Sequence, residues 1–345
     1  MVPVLLARSH EVVATFSAGP PAAGRWWLPQ VEAVTMDVLD AASVRAAVRD
    51  VDAVIYLVHA LADRDFAERD RRGAQAVADA SAEAGVQRIV YLSGLVPPVP
   101  ESELSEHLAS RLEVERVLTG SGVPTVTARA AIVVGSGSTS FEVLRRISER
   151  LPVQALPPWM RSQVQPIAVT DVVELLARCL DGPARTKAYD VGGPERLSYA
   201  QLMQEYADVA RLVRPRMPWL LPRVLDQDDR AVDLAGRLAG RMSGVPGHTV
   251  SALVRSLHHD MVCLEESFLE ELVPSGHHLV GVRAAMERAL TRPLAGVRVQ
   301  DRDPMGPLPG DPPWSGGGVY LFDGEARHRP RGTVDRLLLG VRRPW

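Results

Sequence analysis

Two side chains able to do chemistry lie four residues apart, His107 and Arg111. The stretch 103–118 is predicted to be helical, and a spacing of four places both residues on one helix face, one turn apart. A histidine has an ordinary pKa of about 6.5, so His107 could act as a general acid near neutral pH. Arg111 could hold hydroxyl groups and bias the histidine toward its neutral form, while staying charged itself. The alternative is a solvated His–Arg pair on a surface helix with no chemical role.

Other histidines carry weaker signals. His59 follows the apolar run 53–58 and is interpreted either as the polar lining of a crevice or as a hydrogen-bonded structural histidine. The adjacent pairs His258–His259 and His277–His278 lack acidic or cysteine partners at ligand spacing. We therefore predict no metal site.

The bulk properties exclude several classes of protein. The chain has 345 residues and a net charge of −3, without a concentrated basic stripe, which argues against nucleic acid as a main partner. No apolar run reaches the ~18 residues of a membrane span, and the first residues lack the pattern of a secretory signal. Cys179 and Cys263 lie far apart and are interpreted as reduced thiols. Together these features predict a cytoplasmic protein.

Short apolar runs alternate with helical stretches through the first two thirds of the chain. A glycine follows each of the predicted helices 65–84 and 103–118, where a left-handed residue ends a helix at low cost. Strands are predicted at 11–16, 31–36, 53–58, 88–92, 125–134 and 187–191. This alternation indicates βαβ units, and hence a parallel sheet with helices on both faces.

The first residues depart from the usual start of such a unit. A Rossmann unit begins with a strand and a tight glycine turn, followed by a helix whose N-terminus holds a pyrophosphate. Here 3–7 resembles the tail of that helix, and no G-x-G-x-x-G occurs in the sequence. We therefore predict an α/β, Rossmann-like doubly wound parallel sheet that lacks its first strand and glycine loop.

Composition suggests three regions. Residues 1–205 are predicted to form the Rossmann-like domain, incomplete at its N-terminus, and 206–295 a smaller, mostly helical region on the substrate side. Beyond about 296 the chain becomes rich in Pro and Gly, and 296–345 is interpreted as a tail that starts a truncated further domain.

Seven segments in order resemble atypical short-chain dehydrogenases, specifically the bacterial NmrA-like NAD(P)-binding family with an extended C-terminal region. They are YLVHAL at 56–61, DFAERDRRGAQAVADA at 65–80, RIVYLSGL at 88–95, HLASRLEVERVL at 107–118, RAAIVVGSGSTSFEVLR at 129–145, QPIAVTDV at 165–172 and YDVGGPERLSY at 189–199. The resemblance covers most of 4–295. It implies a twisted parallel sheet that binds NAD(P) at the C-terminal ends of its strands.

The resemblance also implies where the cofactor lies. Asp37 and Val38 would lie beside the adenine; Leu57, Val58 and His59 would follow the ribose; Ala130 to Ile132 would approach the nicotinamide. The end of the second strand of a complete fold, here 14–17 and ending in Ser17, has neither the acid typical of NAD specificity nor an arginine. Its small residues leave room for a 2′-phosphate, with Arg25 as a loop-placed partner. We therefore expect NADP, with NAD as the alternative.

The catalytic expectation follows from the same resemblance. Short-chain dehydrogenases use a serine at the end of the fifth strand and a Tyr-x-x-x-Lys on the next helix. In this sequence Ser93 occupies the serine position, and His107 and Arg111 occupy those of the tyrosine and lysine. Arg111 would also hold the nicotinamide ribose. Loss of the Tyr/Lys pair leaves it open whether the protein is an enzyme.

Three functions compete. The first is an NAD(P)-dependent oxidoreductase acting on an unidentified small molecule. The second is a non-catalytic, NmrA-like nucleotide- or redox-sensing regulator that binds a protein partner. The third is a truncated product that does not bind the cofactor. The dinucleotide and a small molecule are the expected ligands, without nucleic acid or a membrane span.

Overall fold

The computed structural model describes residues 1–19, 25–59, 65–150, 158–212, 259–312 and 315–328. The helices are α1 (Val2–Ala7), α2 (Ala41–Ala47), α3 (Phe66–Ala84), α4 (Glu106–Thr119), α5 (Thr139–Arg150), α6 (Val169–Asp181), α7 (Tyr199–Val209), α8 (Ser267–Glu271) and α9 (Val282–Leu290). The strands are β1 (Val13–Phe16), β2 (Glu32–Thr35), β3 (Ala53–Tyr56), β4 (Arg88–Gly94), β5 (Thr125–Ala130), β6 (Val133–Val134), β7 (Gln163–Val164), β8 (Ile167–Ala168), β9 (Lys187–Val191), β10 (Leu197–Ser198), β11 (Val319–Phe322) and β12 (Glu325–His328). None of the described helices is long and apolar enough to cross a membrane.

The chain divides into two compact units. Unit 1 comprises 1–130, 170–191 and 263–278, and unit 2 comprises 131–169, 192–262 and 279–345. Each unit consists of three separate segments of the chain, so the limits of the units do not coincide with the domain boundaries expected at 205 and 295. Those boundaries remain predictions.

A parallel sheet forms the centre of unit 1. Its strand order is β3-β4-β5-β9, and every pair is parallel. The first four residues of β4 are buried, as expected for a strand covered on both faces. The predicted α/β fold class with a parallel central sheet is therefore confirmed.

The strands β1 and β2 pair in parallel as a separate ladder. Among the described residues neither of them forms a ladder with β3. The six parallel strands of unit 1 therefore form one sheet of two strands and one of four, rather than the single sheet predicted. α1 precedes β1 directly, as predicted for the tail of a first helix.

The core of unit 1 lies between the sheet and α2, α3 and α4. Tyr56, Ile89 and Tyr91 from the strands pack there with Val77 and Val114 from the helices. α3 ends at Gly85, whose φ of 72° is left-handed, and this allows β4 to begin three residues later.

The described part of unit 2 contains small sheets and three helices, α5, α7 and α9. β6 pairs with β8 in parallel, whereas β7–β10 and β11–β12 are antiparallel. The last pair belongs to the Pro/Gly-rich region, for which the sequence indicated little regular structure. Of the region 206–295 predicted to be mostly helical, 213–258 lies outside the described residues.

Candidate functional site

The start of α4 is fixed by its own sequence. The hydroxyl of Ser105 accepts a hydrogen bond from the backbone N–H of Leu108 at 3.3 Å, so His107 is the second residue of the helix. A Cβ at Gly94 would lie 3.3 Å from Cδ2 of Leu108. The absence of a side chain there therefore brings the first turn of α4 against the end of β4.

Arg111 lies one turn further along α4 and contacts Tyr91 of β4. Its Nη1 donates to the Tyr91 hydroxyl at 3.5 Å, and that hydroxyl donates to the Arg111 carbonyl at 3.4 Å. The Tyr91 ring packs against that of Tyr56 on β3, with centroids 5.8 Å apart. Two neighbouring strand ends and α4 thus meet around one guanidinium.

Ser93 lies two residues after Tyr91, on the same face of β4. It is 5% exposed, and its hydroxyl has no hydrogen-bond partner among the described residues. The hydroxyl lies near enough to that of Tyr91 to lower the Tyr91 pKa, although no hydrogen bond of good geometry joins them. Buried hydroxyls are normally bonded, so this one is available to a ligand or to water.

The electrostatics of the site keep its histidines neutral. Burial, the charge of Arg111 and the neighbouring His59 lower the pKa of His107 to about 3. Burial and Arg111 lower that of His59 to about 4, although the residue retains an exposed surface that should moderate the effect. The position of His107 at the positive end of α4 acts in the same direction. At pH 7 His107 is therefore a neutral imidazole, not the acid of ordinary pKa assumed from the sequence.

The tyrosines of the site are also uncharged. Burial and the carboxylate of Asp70 on α3 raise the pKa of Tyr56. Burial is also the main cause that raises the pKa of Tyr91. The hydroxyl of Tyr56, like that of Ser93, lacks a hydrogen-bond partner within the described ranges.

The residues assigned to the adenine end lie after β1 and β2. Asp37 is exposed, and its Oδ1 accepts from the N–H of Leu39 at 2.9 Å, so part of its acceptor capacity is used within its own turn. Val38 approaches α3 at Gly73, where a Cβ would lie 3.2 Å from the valine Cγ2. Ser17 is exposed directly after β1.

An aromatic pair holds Arg25 near the end of β1. The rings of Phe16 and Trp27 stack with centroids 6.5 Å apart, and the Arg25 guanidinium lies 5.7 Å from each centroid. Arg25 Nε is buried and has no partner in the described part of the chain. The loop-placed arginine is therefore held by the aromatic residues beside Ser17.

The remaining predicted cofactor residues follow β3 and β5. Leu57 is 43% exposed, Val58 is half-buried and His59 is exposed. Ala130 is buried at the end of β5 in unit 1, whereas Ile132 belongs to unit 2.

Sequence reasoning missed an ion pair that fastens α4 to β5. Arg129 donates from Nε and Nη2 to both carboxylate oxygens of Glu115 at 2.9 and 2.6 Å. Ladder register places Arg129 opposite Ser93. The i, i+4, i+8 spacing of His107, Arg111 and Glu115 was a signal that could have revealed this third residue on the helix face.

Comparison with known proteins identifies the family. A family described as NAD(P)H-binding matches residues 1–181, more than half of the chain. The chain belongs to this NAD(P)H-binding family. No curated protein shows significant sequence similarity to it. The predicted cofactor class, NAD(P), and the resemblance to an NAD(P)-binding family are confirmed.

Solved structures share the fold of this NAD(P)H-binding protein. The Bordetella bronchiseptica enzyme WbmH in complex with NAD+ is 19% identical with a TM-score of 0.57, covering 83% of this chain and 90% of that one. The Citrobacter sp. triphenylmethane reductase complexed with NADP(H) is 16% identical with a TM-score of 0.54, covering 76% and 84%. A nucleoside-diphosphate-sugar epimerase from Staphylococcus aureus is 11% identical with a TM-score of 0.62, covering 83% and 94%.

The residues of unit 1 fit parts of a dinucleotide. The unpartnered Ser93 hydroxyl beside Arg111 suits the nicotinamide end, and Arg25 with its two aromatic rings suits the adenosine end. Gly73 leaves room where α3 approaches Val38.

Proposed function

We propose that this protein is an NAD(P)-dependent oxidoreductase that reduces a carbonyl group of a small molecule, with Ser93, His107 and Arg111 at the reacting end. One observation carries the proposal: the buried Ser93 hydroxyl has no hydrogen-bond partner among the described residues, at the end of β4 against which the first turn of α4 packs. An enzyme needs such unused donors where charge develops during the reaction.

When bound, the cofactor supplies the hydride. Reduction moves the carbonyl π electrons onto oxygen, and the protein must stabilise that oxygen. Ser93 would donate through its hydroxyl, and neutral His107 would donate through a ring N–H, since a neutral imidazole can polarise a carbonyl without first releasing a proton. Arg111 adds a permanent positive charge one turn away.

Arg25 supports NADP as the preferred form. Its guanidinium lies beside the end of β1, where dinucleotide-binding folds read the ribose 2′ position. A 2′-phosphate would give the buried Nε a charged acceptor. We expect Arg25→Met to weaken NADPH binding at least about tenfold while leaving NADH binding within about twofold.

The test of the proposed function separates binding from turnover. Binding of NADPH is measured by calorimetry, and oxidation of NADPH is followed at saturating cofactor with a panel of aldehydes and ketones. Ser93→Ala and His107→Gln should each reduce turnover about 10²-fold or more while NADPH binding stays within a few-fold. Turnover that survives both substitutions would refute these roles.

The second candidate is the nucleotide-sensing regulator. The low pKa of His107 favours this candidate, because in the free protein His107 is not a protonated acid at neutral pH. NADPH binding without turnover of any carbonyl, together with capture of a protein partner that depends on NADPH, would favour this candidate. Reduced thiols at the buried Cys179 and Cys263 fit a cytoplasmic location for either function.

A further inference from the structure

The guanidinium of Arg111 is a half-buried cation without a counter-ion in the described part of the chain. Its contact is the neutral Tyr91 hydroxyl at the long distance of 3.5 Å. Removing a charge from water is unfavourable unless the charge is paired, so a half-buried arginine of this kind favours binding of an anion.

Three other arginines of low exposure have partners within the described residues. Arg129 forms a bidentate pair with Glu115, and Arg145 of unit 2 is paired with two glutamates. Arg88 donates to three carbonyl oxygens. Arg111 differs from these three, since the described residues supply no acidic or carbonyl partner for its guanidinium.

The groups around Arg111 are neutral donors rather than acids. Five side chains around it are uncharged at pH 7: His107 from α4, Tyr91 and Ser93 from β4, Tyr56 from β3, and His59 after β3. The lowered pKa values of the two histidines keep them from becoming cations, and the raised pKa values of the two tyrosines keep them from becoming anions. Asp70 on α3 raises the pKa values of both tyrosines but forms no ion pair with Arg111. One cation surrounded by neutral donors matches a single negative charge.

We propose that Arg111 binds the carboxylate of an oxo-acid substrate whose reacting carbonyl is held by Ser93 and His107. The inference rests on the proposed function and names its substrate class. One helical turn, roughly 5.4 Å, separates His107 from Arg111. That spacing fits a carboxylate and a carbonyl only a few bonds apart. A single guanidinium suits the flat, singly charged carboxylate better than a phosphate dianion.

Binding of the carboxylate would also prepare the acid. Neutralising Arg111 removes one of the causes that lower the pKa of His107, so the pKa of this imidazole rises when substrate binds. The balanced reaction transfers hydride from NAD(P)H to the carbonyl carbon, moves the carbonyl π pair onto oxygen and delivers a proton to that oxygen through His107. An oxo acid, NAD(P)H and a proton thus give a hydroxy acid and NAD(P)+.

Acetoacetate and its uncharged methyl ester test the proposal on the full chain. With NADP+ at saturation, so that no hydride is transferred, acetoacetate should bind at least about tenfold more tightly than the ester, as expected for one charge-assisted pair. Acetoacetate should also raise the pKa of His107, measured by NMR of the imidazole, by about one unit. The ester should leave that pKa unchanged.

Variants of one helix provide matched controls. In Arg111→Met the preference for the acid should vanish, while Arg116→Met should retain it, because Arg116 is exposed and paired with Glu101. Equal binding of acid and ester by the unaltered protein would overturn the proposal. This test does not depend on whether the Arg111→Met variant folds. Retention of the preference in Arg111→Met or Arg111→Gln would also overturn it.

The other outcomes are equally decisive. If inorganic phosphate binds at Arg111 and NADPH displaces it, Arg111 serves the dinucleotide and the proposal is wrong. If acetoacetate binds through Arg111 but no oxo acid is ever reduced, the binding site stands and the proposed oxidoreductase function fails. If NADPH is oxidised with neutral ketones as readily as with oxo acids, the function stands and the substrate class is wrong.

Discussion

Single side chains decide the charge state of the candidate site. Burial, Arg111 and the positive end of α4 all oppose protonation of His107, and no effect at this position favours the charged form. The same residue that the sequence offered as a proton donor is therefore a neutral hydrogen-bonding group in the free protein.

The low pKa of His107 makes stability depend on pH. Because its pKa of about 3 lies below the unfolded value of about 6.5, the unfolded chain takes up this proton first as the pH falls. The stabilisation is complete above pH ~6.5 and is lost progressively between 6.5 and 3, by at most about 1.4 kcal/mol per pH unit.

His107→Gln should remove this contribution to the pH dependence of stability. Urea unfolding at pH 7 and pH 5 should then show a drop about 1–2 kcal/mol larger for the parent protein than for the variant. Equal drops would contradict the shifted pKa.

Arg88 stabilises unit 1 through the end of a helix. Its guanidinium donates to the carbonyls of Cys179 and Leu180 at 2.5 and 2.6 Å and to that of Gly182, so it satisfies carbonyls at the C-terminus of α6 that lack intrahelical partners. Arg88→Met should lower the free energy of unfolding by about 2–4 kcal/mol. The exposed pair Arg71–Glu68 provides the control, since Arg71→Met should leave the free energy of unfolding close to that of the parent protein. Similar losses from both substitutions would show that the carbonyl contacts contribute little.

At the scale of elements, the site depends on how α4 is fixed to the sheet. Ser105 sets where the helix begins, Gly94 lets it approach β4, and Glu115 attaches it to β5 through Arg129. The Glu115 side chain is 9% exposed and that of Arg129 is 26% exposed, so this pair is shielded from water more than a surface ion pair.

A double-mutant cycle on Glu115 and Arg129 tests this attachment. Glu115→Gln and Arg129→Met should show a coupling energy of about 1.5–3 kcal/mol in unfolding. The pair Glu101 and Arg116 is also bidentate, through Nη1 and Nη2 of the arginine, but both side chains are about half exposed, so its cycle should give a clearly smaller coupling energy. Equal coupling in both cycles would mean that burial of the Glu115 pair adds nothing.

The sequence predicts elements where the signal is local. α3 covers Phe66–Ala84, where a helix was predicted at 65–84, and β9 coincides with the predicted strand 187–191. A glycine after the helix and an apolar run in the strand mark these limits within a few residues. Predicted strand 125–134 is two strands, β5 and β6, which belong to different units. Local periodicity cannot reveal such a break, since long-range pairing decides it.

The site is predictable to a similar degree. The resemblance and the helical spacing identified Ser93, His107 and Arg111, and their catalytic roles remain predictions. The contacts of Tyr91 with Arg111 were missed because an aromatic residue in an apolar strand is usually core, and Tyr91 is also core. Its two-residue offset from Ser93 on one strand face was the available signal.

At the scale of the whole molecule, the Pro/Gly-rich tail is part of unit 2. The carboxylate of Glu142 accepts from the backbone N–H of Gly316 at 2.8 Å, and that of Glu149 accepts from those of Gly318 and Val319. Arg145 donates to the Val319 carbonyl. Buried charges on α5 therefore hold a glycine segment about 170 positions later in the chain, a link that composition alone could not predict.

Gly317 is the residue on which this link can be tested in the intact chain. A Cβ there would lie 2.2 Å from Oε1 of Glu149 and 2.6 Å from Nε of Arg145, both on buried side chains that cannot yield without breaking the network. Gly317→Ala should therefore lower the stability of unit 2 by about 2–4 kcal/mol. Gly182→Ala is the matched control, because its nearest contact would be an ordinary 3.9 Å and it should change stability by less than about 1 kcal/mol.

Hydrogen exchange localises the effect: amides of α5 and α7 should exchange faster in Gly317→Ala, while those of β4 and β5 in unit 1 should keep their protection. Unchanged exchange in α5 would show that the tail is not held by these charges.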